Sequence, residues 1–362
     1  MQVIQRRSGL ERLRKAIVRG SVTLGFIGGS ITEQRPGHNW PEYIVPWFNQ
    51  QYPGLRIQVE NAAIGATGSE LAVFRAKRDL IDRGADLVFI EYAVNDWDQL
   101  TQKRMNTREG LIRKLLKEER DIVLVYTYSQ PMYETMIKDQ VPDSISEFET
   151  LADHYQIGSV WMGLHALNEV KSGWMKWEEW LPDGLHPGHR GSYCYARSVI
   201  KYLEAELIEE PNNRGIPCQE DLPQALNPHN WENTSILPFD EVCLKGPWYI
   251  RRYSAMPWVD QVLETAAIGA ELSFKFKGRG ISLGFDFGIY ASDYRYRIDG
   301  GEWIDMVRAR PDWCPDSGWY LISTLEDDLE YGEHEVELSV THGNSDVCKG
   351  SNFRLAMIGY IE

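Results

Sequence analysis

Long apolar runs are what this chain of 362 residues lacks first. No stretch reaches the roughly 18 residues that a membrane-spanning helix needs, so the sequence does not read as a membrane protein. Basic residues are also scarce: 38 Lys and Arg face 53 Asp and Glu, a formal net charge of −15. That balance argues against nucleic acid or an anionic membrane as partner and favours a neutral one. Cysteines are few, scattered and odd in number, at 194, 218, 243, 314 and 348. Such usage suits free thiols in a reducing compartment rather than a disulfide framework. No Cys, His and carboxylate cluster at zinc spacing accompanies His186 and His189, so no metal and no other cofactor is expected. The first 15 residues read as a charged amphipathic helix without the apolar core of a signal peptide, from which a cytoplasmic location is expected.

What is present divides at about residue 210. Apolar content of 43% and aromatic content of 12% are enough for two buried cores. Before residue 210, apolar runs at 22–27, 56–60, 86–92 and 121–127 alternate with helical stretches such as Glu70–Arg83, Thr107–Glu119, Ser144–Tyr155 and Gly191–Glu209. That alternation predicts an α/β fold with a doubly wound parallel sheet over 1–212. From Glu210 the chain turns to Pro, Asn and Gly, which predicts a linker over 213–232. Beyond it, period-two segments begin at Glu271, Ile281, Tyr294, His334 and Phe353, with Asp299-Gly300-Gly301 as a turn. They predict an all-β antiparallel sandwich over 233–362.

Chemistry concentrates in four blocks of the first part. Ser30 ends the run Gly25-Phe-Ile-Gly-Gly-Ser, straight after an apolar strand; Asn61-Ala-Ala-Ile-Gly65-Ala66-Thr-Gly68 and Ala93-Val-Asn95-Asp96 each follow a strand; and Asp183-Gly-Leu-His186 supplies an acid and a base three residues apart. A hydroxyl becomes a nucleophile when an imidazole takes its proton, and a carboxylate fixes that imidazole's tautomer and orientation. Small residues and an Asn amide can present N–H groups to a developing oxyanion. Ligands of open α/β sheets bind beyond the strands' carboxyl ends, where Ser30, Gly65 and Asn95 all fall. Taken one at a time the blocks also fit a helix cap, a glycine loop and an Asx turn. The other histidines, at 38, 154, 165, 229, 334 and 342, read as surface or packing residues.

In this order and spacing the blocks resemble the SGNH (GDSL-type) hydrolase superfamily over residues 20–205. The resemblance implies a flavodoxin-like catalytic domain in which Ser30 is the nucleophile, His186 the base and Asp183 its orienting acid. It also implies an oxyanion hole made by the N–H of Ser30, the N–H of Gly65 or of its neighbour Ala66, and the Asn95 side chain. Gly29 stands where the family's nickname has Asp, and Ala93 where Gly is usual. The Gly-x-Ser-x-Gly elbow of the α/β-hydrolases is absent around Ser30. The second part resembles jelly-roll modules attached to carbohydrate esterases.

Acyl transfer through an acyl-serine follows, and tryptophans address its substrate. Trp97 follows Asn95-Asp96, Trp174, Trp177 and Trp180 approach Asp183, and Trp40 lies ten residues past Ser30. Indole faces stack on sugar C–H faces, which makes Trp97 and Trp180 candidate substrate contacts; the 174/177/180 spacing also fits a helical stripe into a core. In the sandwich, Tyr290, Trp313 and Trp319 fall in expected loops. The expected substrate is an acetylated oligosaccharide from mannan or xylan. A lipid or thioester hydrolase and a non-catalytic sugar-binding protein are the competing classes. Whether the sandwich closes the site, binds polymer or calcium, or supports a homo-oligomer is open on sequence alone.

Overall fold

The computed structural model describes residues 1–33, 39–209 and 222–362. His38, Cys218 and the 213–221 part of the expected linker lie outside the described residues. Along the first unit, 1–232, the order is β1 (Ile4–Gln5), α1 (Glu11–Arg19), β2 (Ser21–Gly28), α2 (Pro41–Gln51), β3 (Arg56–Asn61), α3 (Ser69–Ala76), β4 (Leu87–Glu91), α4 (Thr101–Lys117), β5 (Asp121–Val125), α5 (Tyr133–Met136), α6 (Asp143–Tyr155), β6 (Gly158–Val160), α7 (Met162–Lys171), α8 (Trp177–Trp180) and α9 (His189–Glu204). The sheet order is β1-β6-β5-β4-β2-β3, parallel throughout except for β1 at the edge. This is the doubly wound α/β arrangement. Strands β4 and β5 are buried along their whole length, as a sheet covered by helices on both faces requires. The direction of winding reverses at β2, between β3 and β4, so the crevice beyond the carboxyl ends of β2, β3 and β4 is the switch point where such sheets bind ligands.

The amino terminus departs from expectation. Residues 4 and 5 pair with Val160 and Ser159 as an edge strand, and the helix begins only at Glu11. The early arginines that read as helix charges are engaged elsewhere: Arg6 pairs with Glu206 at 2.6 Å, and Arg7 with Glu149 and Asp153 at 2.7 Å each. The segment 222–232 belongs to the first unit rather than to a free linker. Glu109 on α4 accepts the N–H groups of Leu226 and Asn227, Arg113 binds Glu232 at 2.6 Å, and Trp231 is fully buried.

The second unit, 233–362, is all antiparallel. Its strands are β7 (Thr234–Ile236), β8 (Cys243–Lys245), β9 (Tyr249–Arg252), β10 (Gln261–Thr265), β11 (Glu271–Gly278), β12 (Gly280–Asp286), β13 (Asp293–Ile298), β14 (Ile304–Met306), β15 (Tyr320–Glu326), β16 (Gly332–Thr341) and β17 (Phe353–Ile361). One sheet runs β15-β12-β17-β10-β9, with β7 also on β17; the other runs β14-β13-β16-β11-β8. Alternate residues of both sheets, among them Leu283, Phe285 and Leu355 facing Phe274, Tyr294 and Leu338, form one apolar core. Asp299 and Gly300 take φ 53° and 68° in the β13–β14 hairpin turn, a left-handed pair suited to Asp-Gly.

Candidate active site

Strand β2 stops at Gly28, and the chain folds back at once. The N–H groups of Thr32 and Glu33 both donate to the Gly29 carbonyl, at 3.0 and 2.9 Å, and Ser30 rides on this turn half-exposed. Its neighbours are tied to it across the sheet. Ile64 N–H reaches the Gly28 carbonyl at 3.0 Å, and the Asn61 amide donates to the Thr32 carbonyl at 2.8 Å. The second block is thereby stitched to the first.

Far along the chain, Asp183 and His186 arrive on the loop between α8 and α9. Asp183 Oδ1 accepts the N–H groups of Leu185 at 2.9 Å and His186 at 2.7 Å, an Asx turn that leaves Oδ2 for the ring. Oδ2 lies 2.8 Å from His186 Nδ1, and His186 Nε2 lies 2.8 Å from Ser30 Oγ. Partial burial opposes the charge on Asp183, but the two N–H donors and the His186 ring outweigh it and hold the carboxyl below its usual range. Three residues separated by up to 156 positions thus form one hydrogen-bonded chain. In it the outer imidazole nitrogen faces an alcohol and the inner one a carboxylate.

The expected oxyanion groups surround the same turn. Among the described residues nothing is hydrogen-bonded to the Asn95 amide. A Cβ on Gly29 would sit on that amide, so the missing side chain at 29 is what lets Asn95 lie against the nucleophile turn. The departure from the family's Asp therefore has a steric meaning here. In the second block, Gly65 is buried and engaged, whereas the exposed Ala66 takes φ 57°, a left-handed conformation that costs a side-chain-bearing residue roughly 1 kcal/mol.

Beneath Asn95, Asp96 accepts Ser69 N–H at 2.9 Å, Ser69 Oγ at 2.7 Å and Arg108 Nε at 2.9 Å, with both ion-pair partners fully buried. The Ser69 bonds tie the start of α3 to the exit of β4 and so join the second block to the third, while Arg108 adds α4. Burial pulls the Arg108 guanidinium down while Asp96 pushes it back up. Glu91, the last residue of β4, is also fully buried beside the turn. Burial raises it to about 7 against hydrogen bonds from Thr127 and Thr32 and the pull of the Gly29 N–H.

The tryptophans divide. Trp97 is 52% exposed beside Asn95, as a substrate contact requires. Trp180 is 0% exposed, which corrects its reading as a substrate contact. It stacks on Trp177 at 4.9 Å and packs against Tyr128 and Tyr195, and its carbonyl accepts Gly188 N–H, so it floors the Asp183–His186 loop. Trp40 is likewise buried, against Phe26 and Phe89, and Trp174 is exposed. Among the described residues no group of three His, Cys, Asp or Glu side chains could hold a metal, and no helix is long and apolar enough to cross a membrane. The four described cysteines are free thiols.

Residues 26–193 match the model of the GDSL-like Lipase/Acylhydrolase family, a span that contains all four blocks. Over that span the first unit is similar to this family. No curated protein sequence matches the chain. Among solved structures, the two-domain esterase CEX, active on acetylated mannans and crystallised with mannopentaose, superposes with a TM-score of 0.82 at 23% identity, covering 99% of this chain and 96% of that one. CEX without that ligand gives the same TM-score and identity, with 97% of its chain covered. A variant of Axe2, an acetyl xylan esterase from Geobacillus stearothermophilus, matches at 22% identity with a TM-score of 0.41, over 52% of this chain and 97% of that one. The fold of this chain, an α/β unit followed by an antiparallel β unit, is thus shared with a two-domain esterase. Sequence reasoning passed over two residues that shape the candidate site, Glu91 and Arg108, and noted Gly29 only as a departure from the family's pattern. Glu91 alone left a signal, as a charged residue inside the apolar run 86–92.

Proposed function

We propose that the chain is a serine esterase that removes O-acetyl groups from hemicellulose-derived oligosaccharides. The observation that carries this reading is the unbroken Ser30–His186–Asp183 chain, with both links at 2.8 Å, next to an Asn95 amide that has no protein partner among the described residues. His186 Nε2 takes the Ser30 proton as Oγ attacks the ester carbonyl. The tetrahedral oxyanion is met by the Ser30 N–H, by the Ala66 or Gly65 N–H and by the Asn95 amide. His186 then protonates the departing sugar alcohol, leaving acetyl on Ser30. The same ring activates a water, and acetate leaves. Asp183 keeps Nδ1 protonated throughout and offsets the charge that the ring gains.

The sugar part of the proposal is supported by the fold-wide likeness to an esterase active on acetylated mannans and by the exposed Trp97 indole two residues after Asn95. Acetate release from acetylated manno- and xylo-oligosaccharides, measured for the native protein and for Ser30→Ala, is the test. Release that needs Ser30 supports the assignment; turnover confined to long-chain esters would overturn it in favour of a lipid hydrolase. Tight sugar binding without release would make the protein a lectin-like binder.

A further inference from the structure

The acyl-transfer scheme leaves one ionisable group beside the nucleophile unused. Glu91 ends β4, has no exposed surface, and accepts hydrogen bonds from two threonines distant in the chain. Thr127 Oγ1, past the end of β5, donates to Oε1 at 2.7 Å, and Thr32 Oγ1 donates to Oε2 at 3.1 Å. The backbone N–H of Gly29 also favours its charged form. Ser30 is thus bracketed, with Thr32, two residues after it, fastened to this carboxyl group and the Gly29 N–H, just before it, favouring the carboxylate. Thr32 is held further, because its oxygen accepts Trp40 Nε1 at 3.1 Å, which leaves its proton for Glu91. Gly28 completes the packing, since a Cβ there would press on the Glu91 backbone and side chain.

We infer that Glu91 is a positioning residue for the nucleophile: its carboxylate holds the Gly29–Thr32 turn at the place where Ser30 Oγ meets His186 and the Ser30 N–H faces the oxyanion. This rests on the acyl-transfer reading above. A carboxylate only accepts hydrogen bonds, and here two hydroxyls donate to it while the Gly29 N–H favours its charge. When it is protonated, one of its oxygens must donate instead. The Thr hydroxyls can turn round to accept, but the Gly29 N–H cannot, so the neutral form holds the turn more loosely. The titratable groups facing Glu91 are Asp96 at the exit of β4, Tyr92 next in the chain and Tyr195 on α9. Asp96 adds to burial in disfavouring the charge, while the two hydroxyls and the Gly29 N–H oppose it, which places the change of form near neutral pH.

The test is the hydrolysis of p-nitrophenyl acetate across pH 5–9 by the full chain, by Glu91→Gln, by Thr127→Val and by Ser30→Ala. Glu91→Gln keeps the shape but offers one accepting oxygen instead of two. It should lower kcat on the order of 10- to 100-fold with KM within about twofold, the pattern of a displaced reacting group rather than lost binding. Thr127→Val removes a bond that favours the carboxylate, so the acid limb of kcat should move to higher pH while the basic plateau stays within about threefold. A purely structural Thr127 would lower the melting temperature and leave the limb in place. Native kcat and pH profile in Glu91→Gln, or an unmoved limb in Thr127→Val, would overturn the inference while Ser30→Ala remains inactive. If Glu91→Gln does not fold, Thr127→Val decides alone. Equal rates from the native protein and Ser30→Ala would instead sink the acyl-transfer reading and the inference with it.

Discussion

The two halves of the candidate site are held in opposite ways. The nucleophile turn, 28–33, is fixed by groups distant in sequence: Glu91 from β4, Asn61 from β3 and Ile64 from the next loop. The acid–base loop, 181–188, is fixed mostly by itself, through the Asx turn of Asp183, the bond from Gly184 N–H to the Leu181 carbonyl, and Gly188 N–H on the Trp180 carbonyl. Their carboxyl groups differ accordingly. Glu91 is buried and raised, whereas the Asp183 side chain is 56% exposed and lowered. A site of this kind joins a rigid, imposed half to a local, exchangeable one, and the 2.8 Å contact between Ser30 and His186 is where the two meet.

Breaking that contact gives the largest effect. Ser30→Ala and His186→Ala should each lower kcat by on the order of 10⁴-fold or more, and the double variant should lose little beyond either alone, because the pair acts as a unit. Acetate release under single-turnover conditions reads this. Gly29→Ala tests the imposed half without touching a reacting group. The new methyl must displace the Asn95 amide, so its rate should fall to that of Asn95→Ala, on the order of 10²–10³ below native, with no further loss when the two are combined.

Stability against pH sharpens the contrast, because the two carboxyls pull in opposite directions. Glu91, raised in the folded state, binds its proton more tightly folded than unfolded, so its contribution is present at low pH and is lost as pH rises from about 4.5 through about 7. Asp183, lowered, contributes above the unfolded carboxyl pKa, and that contribution is lost as pH falls through its folded value. In denaturant titrations Glu91→Gln should gain on the native protein by on the order of a few kcal/mol between pH 5 and pH 8. Asp183→Asn should differ from native only above about pH 4. The smallest effect belongs to Ala66→Gly. It relieves the left-handed strain and keeps the N–H, so stability should rise by about 1 kcal/mol with kcat unchanged within about threefold.

Legibility followed the same division. Asp183 and His186 are three residues apart and carry their own turn, so their relation is visible in a single window of sequence. Ser30, Gly65 and Asn95 each come after a strand, and the alternation of strands and helices was enough to put their loops at one edge of the sheet. The strong period-two strands of the second unit, β11, β12, β13, β16 and β17, were legible as well. β6, three residues long, and α2, with Pro46 inside it, fell below what periodicity can detect. Trp180 misled because an indole's place on a helix does not reveal which side faces water. Glu91, Gly29 and Arg108 act through partners distant in the chain, 12 positions from Arg108 to Asp96 and 59 from Glu91 to Thr32, and no local pattern records such pairings.

The strip 222–232 defines where the first unit ends. Trp231 fills a hollow on α4, where the Cβ missing from Gly110 makes room for its backbone and Phe74 lies 5.8 Å from its ring. A protein trimmed just after α9 would carry that hollow open to water, with the Glu109 carboxylate stripped of three donors and an apolar dent in its surface. The packing of the first unit is therefore complete only at Glu232. The unit's last eleven described residues serve as a plug, and shorter fragments would be prone to clump.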